Sequence, residues 1–201
     1  GLSEDALMVA NYQNSAISAN AISIKVSGKD DRKFPFKAHQ VKFGNNELKN
    51  FVDGGLGKPE QLKDVKDKIV LVQRGELAFT DKILNAQKQG AAGVIVYNHE
   101  AGGDAMVSMA TDPSITIPAI FTSHNAGVAL INDISHDPTV VLNDGTVQVV
   151  NPSAGDYDDS TSWGPAPNLD FRPQIAAPGG NITSTVNNNQ YDVYSGTSMA
   201  A

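Results

Sequence analysis

The run Ser195-Gly196-Thr197-Ser198-Met199-Ala200-Ala201 sets a serine among small neighbours, a pattern suited to a nucleophilic hydroxyl. Gly196 lets a substrate backbone approach closely, and small neighbours leave the Ser198 hydroxyl accessible. A helix opening at Ser198 would direct free backbone N–H groups toward negative charge. That is where the oxyanion of an acyl-transfer intermediate forms. The chemistry implied is attack on a carbonyl by Ser198, with its own backbone N–H as an oxyanion donor. Alone, Gly-Thr-Ser is also an ordinary loop or helix-capping triplet, so its meaning rests on its surroundings.

Other chemistries find little support. The chain has no cysteine, which removes disulfides, thiol nucleophiles and Cys-based zinc sites. Its histidines, His39, His99, His124 and His136, show no His-x-x-x-His or His-Glu-x-x-His spacing, and no metal site is expected from them. Asp156, Asp158 and Asp159 alternate too incompletely for a calcium loop and read as a solvated turn. Gly102-Gly103-Asp104 lacks the Lys-Ser/Thr of a phosphate cradle. Asn181-Ile182-Thr183 is a glycosylation sequon, relevant only in a eukaryotic source. The net charge of -7 and the absence of any Lys/Arg cluster argue against nucleic acid. No apolar run reaches membrane-spanning length, so no membrane insertion is expected in this segment.

The elements that must position these residues follow from patterning. Ala6 to Ala10 is a short apolar run of strand type. Ala19 to Val26 alternates through Ile22, Ile24 and Val26 and closes at Ser27-Gly28. Lys29 to Lys33 is a charged turn. Phe34-Pro35-Phe36 and Val41-Lys42-Phe43 predict short strands, and 44–67 predicts surface loops. Lys68 to Val72 is a continuous apolar strand. Phe79, Ile83, Ala86 and Gly90 then share a helix face, with Lys82, Asn85, Lys88 and Gln89 off it. Thr80 or a neighbour is the expected cap and Gly90 the expected stop. Gly93 to Asn98 is a further strand, so the stretch has the size of a βαβ unit. Ile117 to Phe121 is another strand, with Pro118 marking an edge or a start. Thr122 or Ser123 caps a helix carrying Val128, Leu130 and Ile131. Val140 to Leu142, Asn143-Asp144-Gly145 and Val147 to Val149 predict a hairpin. After Asn151-Pro152 the composition shifts to Gly, Pro, Ser and Asn.

The surroundings of Ser198 carry a resemblance. Thr161-Ser162-Trp163-Gly164-Pro165, then Pro173-Gln174-Ile175-Ala176-Ala177-Pro178-Gly179-Gly180, then Tyr194-Ser195-Gly196-Thr197-Ser198-Met199-Ala200 resemble the last part of the subtilisin-like protease catalytic domain. In that family Ser-x-x-Gly-Pro and Ile-Ala-Ala-Pro-Gly lead into Gly-Thr-Ser-Met-Ala. The resemblance implies that Ser198 is the nucleophile. Leu7-Met8-Val9-Ala10 is similar to a core strand of the same family. Between them, Lys68 to Gly75, Phe79, Lys82, Ala86, Gly90 to Asn98 and Ile117-Pro118-Ala119 resemble the protease-associated (PA) domain. By this resemblance, an insert at this place is typical of Gram-positive cell-envelope proteinases and of some plant subtilases, and the absence of Cys with Asn187-Asn188-Asn189 leans toward the bacterial group.

The implied organisation is a catalytic-domain strand segment at 1–20, a PA insert at 21–150, and a nucleophile-bearing catalytic-domain segment at 151–201. The implied fold class is mixed α/β: a β-rich open barrel or sandwich with flanking helices, beside pieces of a subtilisin-like α/β domain. The family's Asp-Ser/Thr-Gly and His-Gly-Thr-His motifs are missing, and all four histidines fall within the insert. Without a base the serine is a weak nucleophile, so the fragment alone is expected to be inactive. The segment 151–201 is also expected to be partly irregular or mispaired when severed from its parent sheet. Gly1-Leu2-Ser3 opens without Met, and Ala201 stops just past the serine motif, as in a piece of a longer chain. The resemblance further implies a serine endopeptidase parent, extracellular or cell-wall-associated, acting on protein or peptide substrates. No cofactor is expected in this fragment, and the parent can carry calcium. The competing expectations are a non-catalytic protein-binding module, with the loops at 44–67 and 99–114 as contact surfaces, or a catalytically dead scaffold.

Overall fold

The computed structural model describes residues 16–44, 47–48, 50–150, 177, 179–180, 182–186, 190–194 and 196–200. Compact packing divides the chain into two units, one of 19–147 and one of 1–18 with 148–201. The readings at Ala6 to Ala10, Asn181 and all of 151–176, Asp156 to Asp159 included, lie outside the described residues.

The larger unit is built on one eight-stranded sheet. Its strands are β1 (Ala16–Lys25), β2 (Arg32–Ala38), β3 (Glu47–Leu48), β4 (Phe51–Asp53), β5 (Ile69–Gln73), β6 (Gly93–Tyr97), β7 (Ala119–Thr122) and β8 (Thr139–Val150), in the order β3-β8-β1-β2-β7-β6-β5-β4. The helices are α1 (Phe79–Lys88), between β5 and β6, and α2 (His124–Asp133), after β7. The last four strands of that order are mutually parallel, whereas β2 meets both β1 and β7 antiparallel.

This order forces curvature. The two edge strands, β3 and β4, are almost consecutive in the chain. The three Cα steps from Leu48 to Phe51 span at most about 11 Å, whereas a flat eight-stranded sheet would hold its edges roughly 34 Å apart. The sheet therefore curls into an open barrel. β2 turns one corner, pairing with β1 through Pro35 and with β7 from Phe36 onward. The Thr122 hydroxyl donates to the Pro35 carbonyl at 2.7 Å and fixes that corner.

Strand alternation sorts the apolar side chains into two cores. Ile22, Ile24, Phe36, Leu48, Ile69, Leu71, Ile95, Tyr97, Ile120, Val140 and Leu142 form one, with Ala129 and Leu130 of α2. Val70, Val72, Val94, Val96 and Phe121 form the other, against Ile83 and Ala86 of α1. Strands β5 and β6 are thus buried on both faces, which is why their sequences are continuously apolar rather than alternating. Each such side chain contributes roughly 1.5–3 kcal/mol of transfer free energy.

The βαβ unit β5-α1-β6 forms as its sequence predicts, and Gly90 follows the helix with φ +81°. Several local expectations need correction. Residues 139–150 form one continuous strand instead of a hairpin. Asn143 (φ 57°) and Gly145 (φ 84°) absorb the left-handed twist locally while the strand runs on. Residues 41–43 are not a strand, although Val41 accepts a backbone bond from Ala119. The stretch 44–67 holds β3, β4, a 3-10 turn at Pro59–Gln61, and two core residues, Leu62 and Val65. Helix α1 starts from Ala78 and no side chain caps it. Pro118 stands directly before the first residue of β7, so of the two alternatives it marks a strand start and not an edge, since β7 is internal in the sheet.

In the smaller unit, β9 (Ile182–Val186) and β10 (Gln190–Tyr194) form an antiparallel hairpin with Ile182 opposite Tyr194. A one-turn helix, α3 (Thr197–Ala200), follows.

Candidate functional site

Ser198 is the second residue of α3, and its side chain is exposed, as is that of Thr197. The chain reaches it by a strand, a short turn and a helix. β10 ends at Tyr194 and the turn passes through Gly196. The Gly196 N–H donates to the Gly179 carbonyl at 2.7 Å, and Met199 N–H returns to the Gly196 carbonyl at 3.0 Å. Gly196 has φ +157°, which a side chain would strain, while a Cβ there would find ordinary room, 3.6 Å from the Met199 sulfur. The backbone conformation by itself favours glycine at this position. The opening N–H groups of a helix lack intrahelical partners. A one-turn helix adds little macrodipole to that.

The four histidines are engaged within the larger unit. His39 Nε2 donates to the Ala110 carbonyl at 2.9 Å, and its Nδ1 is buried without a hydrogen-bond partner among the described residues. His99 Nδ1 accepts from Gly102 N–H at 2.8 Å. His124 Nδ1 donates to the Asn98 carbonyl at 3.1 Å, and His136 Nδ1 lies 3.3 Å from the Ser135 hydroxyl. These bonds give each a local structural role. Among the described residues, no three His, Cys, Asp or Glu side chains group as metal ligands.

The second place where functional groups gather is the carboxyl end of the parallel strands, where open α/β sheets bind their ligands. Arg74 follows β5, Asn98 follows β6 and Ser123 follows β7. The Arg74 guanidinium lies over the Phe79 ring and donates from Nη1 to Asn98 Oδ1 at 3.2 Å. Asn98 is fully buried. Its Oδ1 also accepts from His99 N–H at 3.0 Å, and its Nδ2 donates to the Ala105 carbonyl at 3.0 Å. Ser123 caps α2, accepting from Ala126 N–H at 3.1 Å.

Two buried charges escaped the sequence reading. Lys82 is not off the apolar face of α1: it is fully buried, and its ammonium donates to the carbonyls of Leu56 and Gly75 at 2.5 and 2.7 Å. Burial pushes its pKa below the ordinary lysine value, with the nearby Glu76 carboxylate opposing the shift. The signal was available, because Phe79, Lys82, Ile83 and Ala86 stand at i, i+3, i+4 and i+7. Asp133, the last residue of α2, is also buried, and both Lys29 and Arg32 bind its carboxylate. Hydrogen bonds from those two cations hold its pKa below the usual carboxylate range. The charge run at 29–33 is therefore partly an ion-pairing segment rather than a purely solvated turn.

The PA-domain family model matches residues 9–130. The chain is 33% identical to a PII-type proteinase of Lactococcus lactis subsp. cremoris, across all of this chain and 11% of that protein. It is 34% identical to a C5a peptidase of Streptococcus pyogenes serotype M3, across 98% of this chain and 16% of that protein. The chain thus spans a small part of the relatives it matches. Among solved structures, a zinc aminopeptidase from Bacillus subtilis aligns with a TM-score of 0.49 and 21% identity, covering 72% of this chain and 39% of that one.

Proposed function

The chain belongs to the PA-domain family, and from that premise we propose that it is a piece of an extracellular or cell-wall-associated subtilisin-like serine endopeptidase. The observation that carries the reading is the extent of the match to two bacterial proteinases. It runs through 98–100% of the chain, so it takes in the Ser198 segment as well as the PA unit.

In this reading the Ser198 oxygen attacks the scissile carbonyl of a protein or peptide, and its proton passes to a histidine base outside this chain. The amine departs with that proton, and water then releases the acyl group from Ser198. The Ser198 backbone N–H donates to the oxyanion. The exposed hydroxyl after a strand and a turn suits this role. The chain alone is inactive because it carries neither triad partner. The PA unit governs the access or docking of protein substrates.

Fluorophosphonate labelling of the intact parent, with mass spectrometry of the adducted peptide, tests the reading. The expected result is an adduct on Ser198 that is lost in Ser198→Ala. A folded parent without that adduct would overturn it and leave a protein-binding module or a dead scaffold. For the PA unit, removing 21–150 from the parent should alter the choice among protein substrates more than the cleavage of short peptides.

A further inference from the structure

Two surface loops leave the carboxyl ends of β4 and β5, one at 54–58 and one at 74–77, and both sit above the first turn of α1. Each contains backbone in the left-handed region: Gly55 (φ 57°) and Gly57 (φ 78°) in the first, Gly75 (φ 139°) and Glu76 (φ 56°) in the second. Glu76 is not glycine, so its conformation must be held by its surroundings.

The holding contacts are on hand. Lys82 Nζ donates to Leu56 O in the first loop and to Gly75 O in the second. Gly57 lies on the Lys82 stem: a Cβ at 57 would stand 3.1 Å from Lys82 Cβ and Cγ. On the outer side, the Lys58 ammonium of the first loop pairs with the Glu76 carboxylate of the second at 2.5 Å. Asn85, one turn along α1, grips only the first loop, donating to Gly57 O at 3.1 Å.

We infer that Lys82 is a conformational latch: its buried ammonium, bridging the Leu56 and Gly75 carbonyls, holds the 54–58 and 74–77 loops against each other, so that its loss releases both. A fully buried lysine is expensive to maintain unless each donor finds an acceptor. Here the acceptors are backbone carbonyls of two separate loops rather than a carboxylate. The cation therefore joins two loops that also meet through the partly exposed Lys58–Glu76 pair, a weak kind of contact, while the Gly55 carbonyl accepts from Gln73 N–H at 2.8 Å just before the second loop.

Hydrogen exchange on the full 201-residue chain separates a latch from a merely stabilising residue. Lys82→Met keeps the stem and removes both bonds. It should speed amide exchange by about tenfold or more at both 55–58 and 75–77, leaving the β6 and β7 amides unchanged. Asn85→Ala should loosen 55–58 alone. Loosening of only one loop in Lys82→Met, of neither, or of every strand equally would overturn the inference. If Lys82→Met does not fold, the wild-type chain decides. Its Lys82 ammonium should give a slowly exchanging ¹⁵N signal scalar-coupled to the carbonyl carbons of Leu56 and Gly75, and the absence of that signal would reject the latch.

Discussion

Gly127 of α2 packs directly on the Tyr97 ring at the end of β6. A Cβ at position 127 would fall 2.1 Å from Tyr97 Cγ and 2.5 Å from its Cβ. Neither atom is the free end of a flexible chain, so the helix or the strand would have to move. Gly127→Ala should therefore destabilise the fold by about 1–3 kcal/mol, against the slight gain that alanine brings to an ordinary helix position. Urea titration of both proteins measures the difference. Equal midpoints would mean that this contact yields freely.

Asp133 makes stability depend on acid pH. Its folded pKa lies below the ordinary 3.8 because Lys29 and Arg32 hold the ionised form. Above 3.8 the carboxylate is charged in both states and the pairing contributes fully. As pH falls through the folded pKa, the unfolded chain already binds the proton more tightly and the contribution disappears. Thermal melts between pH 6 and 2 should show this loss in the wild type. In Asp133→Asn the slope should be shallower and the stability at pH 6 lower. An identical slope in both proteins would remove Asp133 from the acid response.

Much of the larger unit is legible in its sequence, and the misses have physical causes. Strands β5 and β6 announce themselves because burial on both faces demands unbroken apolar runs, and α1 shows its stripe through Ile83 and Ala86. β8 misleads because Asn143-Asp144-Gly145 has the chemistry of a tight turn. In the fold, Ser23 of the adjacent β1 and Lys33 of β2 bind Asp144, at 2.7 Å to its carboxylate and 2.8 Å to its carbonyl, and the strand continues through the kink. Lys82 and Asp133 are missed for one shared reason. Charge normally marks a solvent face, and the partners that make burial tolerable, loop carbonyls for Lys82 and the far-off Lys29 and Arg32 for Asp133, show in no local pattern. For Ser198 the legible part is local: small neighbours and an accessible hydroxyl, whereas the positive φ of Gly196 is visible only in the fold.

The Ser123 cap should be one of the cheaper features to remove in isolation, yet it is fully buried. Ser123→Ala deletes the acceptor for Ala126 N–H and leaves that donor without a replacement. The expected loss is about 1 kcal/mol, toward 2 if water cannot reach the site. Exchange at Ala126 should rise in parallel. Ser123→Asp retains a capping oxygen but buries a charge, so it should be less stable than Ser123→Ala despite its better capping chemistry.

Asn98 is the sharpest test of the polar network at the strand ends. It meets Arg74, His99 N–H and Ala105 O with one amide. Asn98→Ala strands the His99 N–H donor and the Ala105 acceptor together, at a cost of roughly 2–3 kcal/mol. Asn98→Asp keeps both acceptor roles and strengthens the tie to the Arg74 guanidinium, but it turns a second oxygen toward the Ala105 carbonyl. The two variants should therefore differ in place as well as in size. Asn98→Ala should speed exchange at both His99 and Ala105, whereas Asn98→Asp should release the 103–105 segment and leave His99 protected. Equal protection of both segments in Asn98→Asp would mean that the Asn98–Ala105 bond does not hold the loop.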